Sequence, residues 1–199
     1  MSEENKTALL FPGQGAQQVG MAAGLCERSE IAKGLFSQAA EVLGYDLLSL
    51  CVNGPAEELN KTEFCQPALF VHSYATLKQL EADRPDLWDS VIGVAGLSLG
   101  EYTAVAAAGG LSFEDGVKLV SIRGKAMQAA ADATESGMAS IIGLAEEKLA
   151  EVCSAASTEQ ELVKVANLLC PGNIAISGHS AAVARAEGLS TEAGAMKTV

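Results

Sequence analysis

Histidine is nearly absent from this chain: His72 and His179 are the only two in 199 residues. Chemistry that needs an imidazole therefore has just two places to reside. Aromatic residues make up 5%, and 13 Lys and Arg face 25 Asp and Glu, for a net charge of −12. Nucleic acid and anionic membranes both require a basic face, so neither is expected as a partner, although a local basic patch is not forbidden. The five cysteines, Cys26, Cys51, Cys65, Cys153 and Cys170, are odd in number and include no C-x-x-C. That argues against a disulfide framework or a zinc site and favours a reducing compartment. No metal or cofactor is expected. No apolar run approaches the roughly eighteen residues of a membrane span, and the polar start, Met1 to Thr7, does not resemble a signal or transit peptide.

What is present is a chain that is 49% apolar with twenty glycines. This content supports a real core and fits a turn-rich α/β protein better than a sandwich. Ala8–Phe11 is a short apolar run stopped by Pro12-Gly13, which predicts a buried strand entering a glycine loop. Helices are predicted over Ala16–Cys26, Ile31–Leu43 and Pro67–Leu80, the last with Pro at its first position. A second buried strand is predicted over Val91–Ala95, followed by a small-residue helix over Glu101–Ala108. Ser112, with Asp115 three residues on, starts a helix running to about Ala131. Strand and helix alternating in this way imply a parallel sheet covered by helices. Composition then changes near Thr134. The order strand, helix, strand, strand, helix, strand over residues 138–199 is the ferredoxin-like pattern. The expected domains are therefore 1–133 and 134–199.

Gly96-Leu97-Ser98-Leu99-Gly100 fits G-x-S-x-G between a strand and a helix. The flanking glycines allow a sharp turn that projects the Ser98 hydroxyl, and the helix behind it supplies free N–H groups at a positive dipole end. The amide of Leu99 is the first candidate for an oxyanion donor. The same five residues also serve as a plain Gly-Ser turn. Phe11-Pro12-Gly13-Gln14-Gly15 is neither G-x-G-x-x-G, since Gln18 stands at the last position, nor a Walker loop. It is either a tight turn or a second source of N–H donors beside the serine.

On the helix after Ser112, Gly116, Leu119, Val120, Arg123, Met127 and Ala130 share one face, so Arg123 interrupts an apolar stripe. A buried guanidinium needs an anion, and its planar fork suits a carboxylate. The choices are an acyl group bearing a free carboxylate, an internal ion pair, or an arm reaching to water.

Taken together, these segments resemble the malonyl-CoA:acyl carrier protein transacylases of type II fatty acid synthesis. The resemblance rests on Phe11–Gln17, Thr62–Leu69, Gly96–Ala104, Arg123–Gln128, Gly137-Met138, Ala166–Asn173 and Ile176–Gly178, in order and at matching spacing. It implies an α/β-hydrolase-like core, its N-terminal part only, with an inserted ferredoxin-like subdomain. It also implies that Ser98 takes malonyl from CoA and that the amides of Gln14 and Leu99 form the oxyanion hole. Arg123 would hold the malonyl carboxylate, and Gln66, Met127 and Asn167 would line the pocket. The implied partners are malonyl-CoA and the phosphopantetheine thiol of holo acyl carrier protein, served by a ping-pong mechanism. Lys6, Lys33, Lys61, Lys118 and Lys125 are the cations available to an acidic carrier.

Leu97 and Asn173 replace the His and Gln of many bacterial members, as in plant, algal and cyanobacterial ones, which implies a plastid stroma or a cytoplasm as the location. The family's catalytic histidine lies in a Gly-Ala-Phe-His-like segment after the small subdomain, and neither His72 nor His179 matches it. The chain is expected to stop short of that segment and to be impaired in turnover. The alternatives are a non-catalytic binder of CoA or carrier protein and a serine esterase or thioesterase. Arg123 argues against an esterase, which needs no cation at the acyl end.

Overall fold

A computed structural model describes residues 6–199. The stretch Met1–Asn5, part of the polar start considered above, lies outside the described residues. The chain divides into two compact units, 1–129 and 130–199.

In the first unit β1 (Thr7–Phe11) is followed by α1 (Ala23–Arg28), α2 (Glu30–Leu43), α3 (Leu47–Asn53), α4 (Ala56–Leu59) and α5 (Thr62–Asp83). A 3-10 segment, Pro85–Ser90, leads into β2 (Val91–Gly96), then α6 (Leu99–Ala107) and α7 (Phe113–Ala133), whose last turn crosses into the second unit. β1 and β2 pair in parallel, and Phe11 stands opposite Gly96 where both strands end. Side-chain caps define several starts: Ser29 accepts from Ala32 N–H, Asp46 from Ser49 N–H and Ser112 from Asp115 N–H.

Two predicted helix starts are corrected. The helix expected from Ala16 begins only at Ala23, because Gly20 and Ala22 both take left-handed φ, 95° and 71°, which no helical turn accommodates. Pro67 is not the first residue of its helix but lies inside α5, which starts at Thr62. There Gln128 Oε1 accepts the Thr62 N–H at 2.9 Å. Side-chain support for that first turn helps offset the helix bond that Pro67 cannot make.

α5 is the central helix. It buries Leu69, Phe70, Val71 and Ala75 against Phe36, Leu47, Leu59, Leu99, Val117 and Val120. Each large side chain removed from water here contributes about 1.5–3 kcal/mol. Phe70, Tyr74 and Phe113 stack with centroids 5.0–6.1 Å apart. A smaller cluster, Phe11, Leu77 and Ala104, anchors β1 over α5 and α6. This packing fixes the ends of β1 and β2, and so the turns that follow them.

The second unit consists of β3 (Ser136–Ile142), α8 (Glu146–Ala156), β4 (Val163–Cys170), β5 (Asn173–His179), α9 (Ser180–Glu192) and β6 (Lys197–Thr198). The sheet order is β4-β5-β3-β6, antiparallel throughout. Ile141, Leu149, Val152, Ile176, Val183 and Ala186 form its own core between sheet and helices. Among the described residues no single helix is long and apolar enough to cross a membrane.

Candidate active site

Two turns meet at the carboxyl end of the parallel pair, the position where open α/β sheets hold ligands. Since Phe11 and Gly96 are register partners, the chain leaves both strands at one level. The approach is close. A Cβ on Gly13 would stand 2.7 Å from the Leu97 carbonyl oxygen, and one on Gly100 would stand 2.3 Å from the Phe11 carbonyl oxygen. Only glycine lets the two turns pack this tightly.

Ser98 sits in the second turn with φ 51° and ψ −98°, a left-handed conformation that costs a serine about 1–3 kcal/mol. Its backbone N–H donates to Glu101 Oε1 at 2.9 Å. Leu99 opens α6, so its N–H has no acceptor within the helix and lies at the positive end of the dipole. The side chain of Leu99 is buried in the core and fixes that amide in place.

From α7, Arg123 Nη2 donates to Ser98 Oγ at 2.8 Å, and its guanidinium carbon lies 5.5 Å from the centre of the Tyr102 ring. The expectation of an arginine inside a buried apolar stripe is corrected. The buried line of α7 is Phe113, Gly116, Val117, Val120, Ser121 and Gly124, while Leu119 and Met127 are 44% and 43% exposed. α7 packs along the 113–117–120–124 row, so the row through Arg123 and Met127 runs along its flank. Arg123 is half-buried, and its partner is the serine hydroxyl. Among the described residues no carboxylate forms an ion pair with it.

The turn after β1 is fastened to the start of α5. Gln14 Nε2 donates to Thr62 Oγ1 at 3.3 Å, and Gln66 Nε2 donates to Gln14 Oε1 at 3.5 Å and to Met127 Sδ at 3.2 Å. Gln17 accepts from the Gly15 N–H and donates to Asn60 Oδ1, both at 2.9 Å. Gln66 is fully buried, and among the described residues its Oε1 has no hydrogen-bond partner. The structure thus brings Ser98, Leu99 and Arg123 together, and joins Gln14, Gln66 and Met127 in a neighbouring hydrogen-bonded group. Asn167 belongs to the second unit, exposed on β4 opposite Ala175 at a break in register.

Neither histidine hydrogen-bonds to Ser98. His72 lies on α5 in a groove of about 310 Å³ lined by Leu9, Phe11, Thr76 and Leu80, and burial lowers its pKa. His179 ends β5, where its Nδ1 accepts the Leu162 N–H at 3.0 Å. Burial pushes the thiol of Cys51 up to about 12 and that of Cys65 up to about 11, so both stay protonated and do not compete as nucleophiles. Sequence reasoning missed Glu101, Tyr102, Thr62 and Gln17. The first two had a readable signal, an acid at the third helical position and an aromatic one turn after the serine. The roles of Thr62 and Gln17 arise from contacts across more than forty residues.

Residues 8–198 match the acyl transferase domain family. A malonyl CoA-acyl carrier protein transacylase of Haemophilus influenzae is 46% identical over 194 residues, covering 98% of this chain and 61% of that protein. The structure of a malonyl CoA-acyl carrier protein transacylase from Coxiella burnetii superposes with a TM-score of 0.89 at 40% identity, over 98% of this chain and 60% of that one. A malonyl-transacylase solved in complex with a type II PKS acyl-carrier protein superposes with a TM-score of 0.86 at 37% identity, over 98% and 62%. This chain thus spans about three fifths of these relatives. It belongs to the acyl transferase domain family.

Proposed function

We propose that this chain carries the acyl-accepting site of a malonyl-CoA:acyl carrier protein transacylase. The observation that carries the reading is the 2.8 Å hydrogen bond from Arg123 to the hydroxyl of Ser98, set on a strained strand-to-helix turn. A guanidinium at the nucleophile with no carboxylate partner among the described residues suits an acyl group that brings one. Relatives named for this activity support it.

In the reaction, Ser98 Oγ attacks the thioester carbonyl of malonyl-CoA. The amides of Leu99 and Gln14 receive the developing oxyanion, and Arg123 takes the distal carboxylate in two parallel hydrogen bonds. The C–S bond breaks, CoA leaves as its thiol with the proton that Ser98 gives up, and a malonyl-serine ester remains. The phosphopantetheine thiol of an acyl carrier protein then attacks that ester, takes the malonyl group and returns the proton to Ser98. We infer that Gln66 and Met127 border the acyl group. No imidazole is hydrogen-bonded to Ser98 here, which favours slow turnover by the 199-residue chain alone. The finer fold reading is an α/β-hydrolase-like core with a ferredoxin-like subdomain. Its support is the parallel pair feeding the serine turn and the β4-β5-β3-β6 order of the second sheet.

The test is the intact mass of the chain after exposure to malonyl-CoA. A malonyl adduct, absent in Ser98→Ala, supports the reading. Unmodified protein at saturating malonyl-CoA would overturn it.

A further inference from the structure

We infer that Tyr102 is the positioning residue for Arg123, and through it sets the preference of the site for acyl groups that end in a carboxylate. The inference rests on the acyl-serine reading above and assigns a part to a residue which that reading leaves out.

Tyr102 lies in the first turn of α6, four residues after Ser98, which caps that helix from the turn before it. Arg123 meets both, with one N–H on the Ser98 hydroxyl and its guanidinium carbon 5.5 Å from the Tyr102 ring centre. An arginine carries long, freely rotating bonds, and a site that depends on its fork must hold it still. Most proteins do this with an aspartate or glutamate. Here that solution would defeat the purpose, because a carboxylate would occupy the fork and cancel the charge an incoming anion needs. An aromatic face attracts the cation through its quadrupole and takes up none of its five N–H donors. Glu101, the acid next to Tyr102 in sequence, accepts the Ser98 backbone N–H and makes no ion pair with Arg123. The ring therefore holds the arginine, and one donor rests on the serine until a carboxylate arrives.

The experiment compares the unaltered chain with Tyr102→Phe and Tyr102→Leu. Two quantities are read: the single-turnover ratio of malonyl to acetyl adduct on Ser98, and the ¹⁵N–¹H resonance of Arg123 Nε, identified by its loss in Arg123→Ala. In Tyr102→Leu the malonyl-to-acetyl ratio is expected to fall about tenfold, the scale of a partly desolvated cation–π contact. The Arg123 resonance is expected to move downfield as the ring current is lost. Tyr102→Phe keeps the ring and is expected to retain both values. An unchanged ratio in Tyr102→Leu, a Phe variant that behaves like Leu, or an Arg123 resonance indifferent to the ring overturns the inference. If the unaltered chain takes no malonyl group while the resonance still responds to the ring, the acyl-serine reading falls, the link to acyl preference falls with it, and the placement of Arg123 by Tyr102 stands.

Discussion

Glu101 Oε1 accepts the backbone N–H of Ser98 at 2.9 Å. The acid nearest the nucleophile thus serves as half of a capping box. It supports a serine whose φ of 51° is unfavourable, at the point where α6 begins. Capping and the strained turn depend on each other: without the carboxylate, the Ser98 N–H at the helix start loses its acceptor and the turn loses a restraint.

Glu101→Ala is therefore expected to lower stability by about 1 kcal/mol, the usual cost of a lost cap. It should also slow malonyl loading of Ser98 by more than that loss alone explains, because the turn that presents the hydroxyl loses a restraint. Glu101→Gln, which can still accept the bond, should recover most of both. Urea unfolding and single-turnover loading, measured side by side, check the pairing. A Glu101→Ala chain that loads at the normal rate would separate the cap from the chemistry.

The close approach of the two turns makes a second prediction. In Gly100→Ala the new methyl would lie 2.3 Å from the Phe11 carbonyl oxygen and 2.8 Å from that of Pro12, both backbone atoms that cannot rotate aside. The turn carrying Gly13 and Gln14 must retreat from the serine. A destabilisation of about 1–3 kcal/mol is expected, as for other overpacked sites, with malonyl loading reduced further than in Glu101→Ala. Gly109→Ala serves as the control: it has open space around it but a φ of 79°, so any cost there comes from backbone strain. Equal effects of the two substitutions on loading would show that packing between the turns is not what places the site.

The parts of this site readable from sequence are those that local chemistry dictates. Gly96 to Gly100 announces a sharp turn because the glycines and the serine are contiguous. Ser112 and Asp115 announce a helix start because a cap is a four-residue event. Helix boundaries were lost where local propensity was overruled. Ala16–Cys26 has helical composition, yet Gly20 and Ala22 turn left-handed as the chain crosses to α3, with Gly20 N–H donating to the Cys51 carbonyl at 2.9 Å. Pro67 looks like a helix start until Gln128, on another helix, supports a start five residues earlier. The flank position of Arg123 was hidden for a related reason. Rows of a helix overlap on a helical projection, and only the neighbour, here α5, decides which row is buried. Gln14, Gln66 and Thr62 meet by tertiary packing, which periodicity does not encode.

The carboxylate clamp itself is tested by Arg123. Arg123→Ala removes the charged donors and is expected to lower malonyl loading about 10–100-fold, the scale of charge-assisted hydrogen bonds. Acetyl loading, which has no carboxylate to hold, should fall little if at all. Arg123→Lys keeps the charge without the planar fork and should lie between. The measurement is the malonyl-to-acetyl ratio on Ser98 from each CoA ester. A ratio unchanged in Arg123→Ala would remove the clamp and leave Arg123 as a partner of the serine alone.

His72 offers a prediction about stability that is separate from the chemistry. Burial in the groove beneath β1 lowers its pKa from the ordinary 6.5. When pH falls below that value the unfolded chain binds a proton that the folded chain resists, so acidification favours unfolding. The contribution of His72 is thus fully present above about 6.5 and is lost as pH falls through the depressed folded value. His72→Leu, which suits the apolar lining of Leu9, Phe11 and Leu80, removes the titration. Urea midpoints at about pH 7.5 and about pH 5.5 should therefore differ less in His72→Leu than in the unaltered chain, the carboxylates contributing equally to both. Equal pH sensitivity in the two proteins would mean that His72 is protonated in place, through an opening of the groove that lets water reach its ring.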